Sequence, residues 1–430
     1  MNLNLTQGFT MLFRNKLVML SVAVGLTTTD IALAETLQVE KVDTVTLSSL
    51  VESVYQQHPA HHNELAQQRK IDANTVLANS LFADVSSMNL THKNDIVATD
   101  DGFQEWEGTV DMPLWLAGQK ESQLALSQKM AAELPAYQRQ IRLESSAKVR
   151  ELIWNVILAE TSTEQAYQSW QTAQKLHHDV DARVKAGELA STERLLASSY
   201  ALDMQSQYLL EEAELEHALK SYLYFTGESS LPQEYEEALL QDSDDEHHSL
   251  AIVDQQHPSL AIIDHQISTL RSQQDVAGFD GAVNPNLSLG MRSERGVRGE
   301  HFNNSIVLGI SFALDDKAYR QPAVSEAAKA LADAEISRQQ MERELNIALS
   351  STLHDMETKQ KQLELATAQD KETQQYFMLQ QRAFDLGEID LVSVLRSQSI
   401  ANEAQNRKQL LQVEIKQLVA YINQALGVVL

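Results

Sequence analysis

Helical periodicity in the apolar positions is sustained over very long stretches of the chain. Residues 119–185 run 67 positions with no Gly and one Pro, Pro135; residues 325–386 run 62 positions with neither. At 1.5 Å per residue these are helices of about 100 Å and 93 Å. An average globular helix has only ~10–14 residues, so such lengths persist only by packing along their length, as in coiled coils. Each stretch stops at Gly-Glu, at Gly187-Glu188 and Gly387-Glu388, and a second apolar-periodic stretch follows. Leu195, Leu202 and Leu209 recur every seven residues in the first; Leu391, Leu395, Leu411, Leu418 and Ile422 mark the second. The pattern predicts two antiparallel helical hairpins whose turns lie at the same end.

A period of two appears elsewhere. In residues 106–114 and 306–314 the even positions are mostly apolar and the odd ones polar or small, which predicts strands. Weaker partners lie at 85–92 and 286–292, and polar segments 94–102 and 293–304 separate the members of each pair.

These elements occur twice. A shift of 200 residues carries Gly187-Glu188-Leu189 onto Gly387-Glu388-Ile389, Val110, Met112 and Leu114 onto Ile310, Phe312 and Leu314, and Gly227 onto Gly427. A shift of 199 carries His58-Pro59 onto His257-Pro258, and Met88 and Leu90 onto Leu287 and Leu289. Residues 58–227 and 257–430 therefore read as two repeats, each helix, two strands, very long helix, turn, helix. Pro59 and Pro258 suit first helical positions. Their helices are expected to run to Phe82 and Val276. Residues 228–256, with Asp244, Asp245, Glu246, His247 and His248, read as a solvated acidic linker, and 35–57 as an N-terminal segment.

Residues 1–34 read as a secretory signal peptide. Arg14 and Lys16 precede an apolar run at 17–26, and Ala32 and Ala34 form the cleavage signature. No later stretch has the ~18 uninterrupted apolar residues of a transmembrane helix, so any further membrane entry must be made by strands.

Each strand is about ten residues, the length that crosses an outer membrane when tilted. Val110, Met112, Leu308, Ile310 and Phe312 are expected to face lipid; Thr109, Asp111, Gly309 and Ser311 face the opposite side, a lumen. Trp106, Trp115, Phe302 and Phe312 would anchor at the interfaces. Four strands cannot close a barrel and an open edge cannot face lipid, so membrane strands would require several chains to share one barrel. The alternative is a soluble four-stranded sheet packed against helices.

Composition narrows the chemistry. The formal net charge is −26, from 60 acidic residues against 34 Lys and Arg, which argues against a nucleic-acid partner. The absence of Cys excludes disulfides, thiolate metal sites and a thiol nucleophile. His61-His62, His177-His178 and His247-His248 are adjacent pairs, poor chelates on a helix; only His58 and His62 have the spacing to share a face. No nucleophile elbow, phosphate loop or zinc motif is present. The reading is of a protein that is not an enzyme, with no cofactor and no metal site.

The duplicated plan, the His-Pro helix starts and the two turns carry a family likeness. The first turn is Arg183-Val184-Lys185-Ala186-Gly187-Glu188-Leu189; the second is Arg382-Ala383-Phe384-Asp385-Leu386-Gly387-Glu388-Ile389. The sequence resembles the outer-membrane efflux proteins of the TolC family over nearly all of the mature chain. The resemblance implies a mainly α fold with a membrane β-barrel part. Three chains would each give four strands to a twelve-stranded barrel, and their hairpins would form a periplasmic α-barrel. It implies a homotrimer in the outer membrane that extends into the periplasm, meets outer-membrane lipid, and serves a periplasmic adaptor and an inner-membrane pump. Ala186, Gly187, Glu188, Leu189, Leu386, Gly387, Glu388 and Ile389 would form the adaptor-docking tip. The positions where such tips are narrowed by carboxylates read Ser393 and Arg396 here, with Asp390 and Glu193 nearby. Residues 307–312 with Asp315, Arg320 and Pro322, and Pro113-Leu114-Trp115 with Gly118-Gln119, resemble the branch that serves heavy-metal cation pumps. Besides a passive exit duct of a tripartite efflux system, two readings stay open. One is a soluble periplasmic coiled-coil scaffold or adaptor without a pore. The other is a cation-binding periplasmic protein that uses the His-acidic linker.

Overall fold

The computed structural model describes residues 39–97, 99–239 and 252–430. The signal-peptide segment 1–34 and the linker residues His247 and His248 lie outside them.

Two long helical hairpins dominate. The first pairs α3 (Gln119–Ala186) with α4 (Ser191–Thr226); the second pairs α6 (Lys317–Asp385) with α7 (Leu391–Ala425). Pro135 sits inside α3, and the helix continues through it. The helix α6 begins eight residues before the expected start and contains Pro322. That Pro is the sixth residue, where its missing N–H costs a single bond in the second turn.

The first repeat opens with a 3-10 turn (Pro59–Asn63), in which the His58 ring accepts from the Ala60 N–H at 3.2 Å. Then α2 runs over Glu64–Ala78. It stops short of the expected Phe82 because the chain turns at Asn79, whose amide side chain donates to the Thr75 carbonyl at 2.8 Å. Its counterpart α5 (Pro258–Ala277) starts with the same His-Pro cap.

Among the described residues one sheet has four strands: β2 (Ser87–Asn94), β3 (Gln104–Pro113), β5 (Asn286–Arg295) and β6 (Asn303–Ser311). They are antiparallel in the order β2-β3-β5-β6, so β2 and β6 are free edges. A two-residue pair, β1 (Lys41–Val42) with β4 (Leu231–Pro232), lies apart from it.

The main core forms midway along α3. Val149, Leu152, Ile153, Val156 and Ile157 recur at helical spacing and pack on Leu50, Val51 and Val54 of α1 (Leu47–Gln57), Leu215 and Tyr222 of α4, and Ala420 of α7. The flanks of the presumed solvated linker belong to the interior. Leu231 is fully buried in this core, and Val253 packs with Leu349 and Ile422. Glu237 takes two hydrogen bonds, at 2.8 and 2.7 Å, from the buried Arg150 guanidinium, which also donates to the Val428 carbonyl at 3.1 Å. No helix among the described residues is long and apolar enough to cross a membrane.

Candidate functional site

The sheet has two chemically distinct faces. Cross-strand register aligns Met88, Val110, Leu289 and Leu308 in one row, and Leu90, Gly108, Met291 and Ile306 in the next. Met112, Leu287 and Ile310 extend the same face. These side chains remain open to the surroundings: Met88 is 74 % exposed, Leu308 73 % and Ile310 65 %. A sheet exposing a continuous apolar face of this kind calls for a nonaqueous neighbour or a partner surface. Phe312 lies one residue past β6, because the β5 partner of Ser311 is Asn286, the first residue of β5.

The opposite face is polar and internally bonded. Glu105 is buried and accepts from Lys93 at 2.8 Å and Arg292 at 2.7 Å; Arg292 also pairs with Glu294. Asp111 accepts from Asn89 and from the Ser288 hydroxyl. Thr109, Gly309 and Ser311 lie on this face with Asp111, as the alternation of strands requires. Aromatic residues mark both ends of the sheet. At the loop end Trp106 stacks on His92 at 3.9 Å, and the Arg295 guanidinium lies 5.1 Å from the Phe302 ring. At the helix end Trp115 donates its indole N–H to the Ser80 carbonyl at 3.3 Å.

At the far ends of the hairpins the two turns share one construction. Gly187 has φ 80° and Gly387 φ 77°. The N–H of Glu188 reaches the Arg183 carbonyl at 2.9 Å and that of Gly187 the Val184 carbonyl at 3.0 Å. Glu388 to Ala383 and Gly387 to Phe384 repeat the pattern at 2.9 and 3.0 Å. This is the Schellman closure, which needs a left-handed residue. A Cβ on either glycine would meet nothing within 4 Å, so conformation, not space, selects Gly.

The residues around the turns separate into inside and outside. Val180, Ala197, Phe384, Leu391, Val394 and Leu395 form a small core, and Leu189 and Ile389 are half-buried against it. The sequence offered those two as outward contacts; their apolar surface is largely used in closing the tip. Ala186, Gly187, Glu188, Gly387 and Glu388 are exposed, and Leu386 and Val392 expose 69 % and 55 %. Val392 was not legible as a surface residue, because one helical position separates it from the buried Leu391.

Of the four gate positions, Asp390 caps α7 by accepting the Ser393 N–H at 2.9 Å. The Ser393 side chain and backbone bonds hold the Asp390 carboxyl below its ordinary range. Glu193 is half-buried in the first turn of α4, and Arg396 is exposed. His58 and His257 cap helix starts, His61 Nδ1 lies 2.9 Å from a Glu64 oxygen and His58 Nε2 3.6 Å from one of Glu144. Among the described residues no three His, Asp or Glu side chains converge as a metal site.

Comparison with known proteins adds fold and part of the sequence. Residues 252–428 match the family model described as outer membrane efflux protein. No curated protein matches the chain. Among solved structures, the Campylobacter jejuni CmeC outer membrane channel is 13 % identical with a TM-score of 0.66, covering 89 % of this chain and 85 % of its own. The Vibrio cholerae outer membrane protein VceC is 12 % identical with a TM-score of 0.66, covering 89 % and 96 %. The open-state Neisseria gonorrhoeae MtrE outer membrane channel is 12 % identical with a TM-score of 0.64, covering 89 % and 88 %. The fold is therefore that of these outer membrane channels.

Proposed function

We propose that the chain is the outer-membrane exit duct of a tripartite efflux system. It works as a homotrimer and passively conducts solutes handed over by a periplasmic adaptor and an inner-membrane pump. The observation that carries this reading is the two-faced sheet. Its apolar face is open and its polar face holds an ordered charge network, the division expected of a wall with lipid outside and water inside. Four strands with two free edges leave that wall incomplete in one chain. The family match over 252–428 and the channel fold support the same conclusion. A soluble scaffold has no use for an exposed apolar sheet face.

In this reading the duct contributes shape and charge, and the directing chemistry belongs to the pump. The polar sheet face carries Glu105, Glu107, Asp111 and Glu294 against Lys93 and Arg292, an acidic excess that favours cations in transit. At the other end, the docking surface for the adaptor is the exposed rim of the turns, Gly187-Glu188 and Leu386-Gly387-Glu388, with Val392 beside it. Leu189 and Ile389 hold that rim in shape from within.

The test is adaptor crosslinking to Leu386→Asp and Val392→Asp variants in a strain that carries the cognate pump. Loss of crosslinking and export with the variant still assembled supports the reading. Full export by the assembled double variant removes the tip from it.

A further inference from the structure

The internal repeat specifies how one copy of the chain meets the next, residue by residue. Within the first repeat Met88 pairs with Val110; within the second Leu287 pairs with Ile310. The sequence shifts of 199 and 200 that align the repeats carry Met88 onto Leu287 and Val110 onto Ile310. The two hairpins thus have the same register, and the shifts hold for backbone pairing as well as for residue type.

The chain also contains one seam between repeats. It joins β3 of the first to β5 of the second, with Val110 opposite Leu289. Applying the same shifts moves Val110 to Ile310 and Leu289 back to Leu90. Both lie on the free edge strands, β6 and β2. We propose that β6 of one copy pairs antiparallel with β2 of a second copy with Ile310 opposite Leu90, Leu308 opposite His92 and Phe312 opposite Met88. This inference rests on the exit-duct reading and deepens it by fixing its intermolecular contact.

Two further features are consistent with this register. The first is facing. A shift of one residue would set apolar side chains of one strand beside polar ones of the next. Ile310 and Leu90 each belong to the apolar face of their own strand, as the shifts require, since Val110 and Leu289 share that face. The residues are also highly exposed, Leu90 at 68 % and Ile310 at 65 %, against 42 % for Val110 and 50 % for Leu289 inside the sheet.

The second is charge across the helices. The helix α5 packs on both α3 and α6, whereas α2 packs on α3 and has no comparable packing on α6 among the described residues. At the contact of α3 with α5, the Thr269 hydroxyl donates to Glu133 at 2.7 Å. The same shifts turn Thr269 into Lys70 and Glu133 into Asp333, a cation facing an anion. Lys70 borders the cleft between α2 and α5, and Asp333 is exposed on α6, where it accepts from Lys329 of its own helix at 2.6 Å. The second copy thus brings its α2 against α6 with Lys70 beside Asp333.

The chain has no Cys, so paired Cys variants with a short thiol crosslinker test the register directly. Within one chain Leu90 and Ile310 lie on opposite edges, three strand spacings or about 14 Å apart, out of reach of a short linker. Leu90→Cys with Ile310→Cys should give covalent products at two and three times the chain mass. Met88→Cys or His92→Cys with Ile310→Cys should give at least tenfold less, and each single variant none of the threefold product. A stronger product from Met88 or His92 overturns the register while leaving the duct. Heat-sensitive trimers without any crosslinked product overturn the seam. Protein that is monomeric in detergent before crosslinking overturns the duct as well. Lys70→Glu should weaken the unheated trimer and Lys70→Glu with Asp333→Lys should restore it; no restoration removes the helical contact.

Discussion

Arg183, in the last turn of α3, donates to Asp385, the last residue of α6, at 2.7 Å, and its guanidinium stands 5.3 Å from the Phe384 ring centre. This contact ties the turn of one hairpin to the turn of the other. The pair is partly exposed, so it contributes no more than about 1 kcal/mol to stability. Asp385→Ala should leave the melting temperature within a few degrees of the parent. The tip, no longer tied, should be looser, and amide exchange at Leu386 to Ile389 should accelerate severalfold. Unchanged exchange there would mean that the small core around Val180 and Leu391 alone holds the turns together.

The opposite outcome is expected at Arg150 and Glu237. Arg150 is 1 % exposed and its fork grips both Glu237 oxygens, so removing one partner strands a buried charge. Glu237→Ala should cost about 3–5 kcal/mol, read as a lower midpoint in denaturant. Because Arg150 also holds the Val428 carbonyl, the C-terminal residues should become accessible to carboxypeptidase in the same variant. A loss below 1 kcal/mol would mean that water replaces Glu237 at no penalty.

Gly187→Ala and Gly387→Ala isolate backbone conformation from packing. Each should cost about 1–2 kcal/mol, the penalty for an L-residue in the left-handed region. Gly427→Ala should cost more, since its Cβ would come within 2.6 Å of the His257 ring in addition to the φ of 82°. Equal losses at all three positions would dismiss the contact with His257.

Burial pushes the His257 imidazole below its ordinary value. The ring accepts the Ser259 N–H at 3.1 Å through Nδ1, which the neutral form alone can do. The unfolded chain takes up its proton near pH 6.5, the folded chain only at lower pH. The stabilisation is therefore present above pH 6.5 and is lost as the pH falls toward the folded value. His257→Asn, which keeps a capping side chain, should flatten the change in melting temperature between pH 7.5 and 5. A profile identical to the parent would assign that change to other groups.

Much of this was legible in the sequence, for identifiable reasons. Gly187 and Gly387 end runs of more than sixty residues without another Gly, so the turns stand out. The alternation at 306–310 fixed which residues share a face. Strand ends were not legible: Asn303, Asn304 and Ser305 have no apolar signal, yet their backbones pair with Glu294, Ser293 and Arg292. Leu189 and Ile389 look like surface apolar residues beside a turn, and only the packing of four helix ends reveals that they are half-buried against the tip core. Glu237 sits with Glu234 and Glu236 in a run that reads as solvated; its partner is 87 residues away. Long-range pairs of that kind leave no periodic trace.

Current through a planar lipid bilayer tests the central claim most directly. Purified, unheated protein added to one side in dilute salt should produce discrete, lasting steps of conductance. The reversal potential in a salt gradient should favour cations, and that preference should shrink toward 1 M salt as the Debye length falls to ~3 Å. Protein that is correctly folded yet never conducts, or that remains a soluble monomer without detergent, would contradict the account.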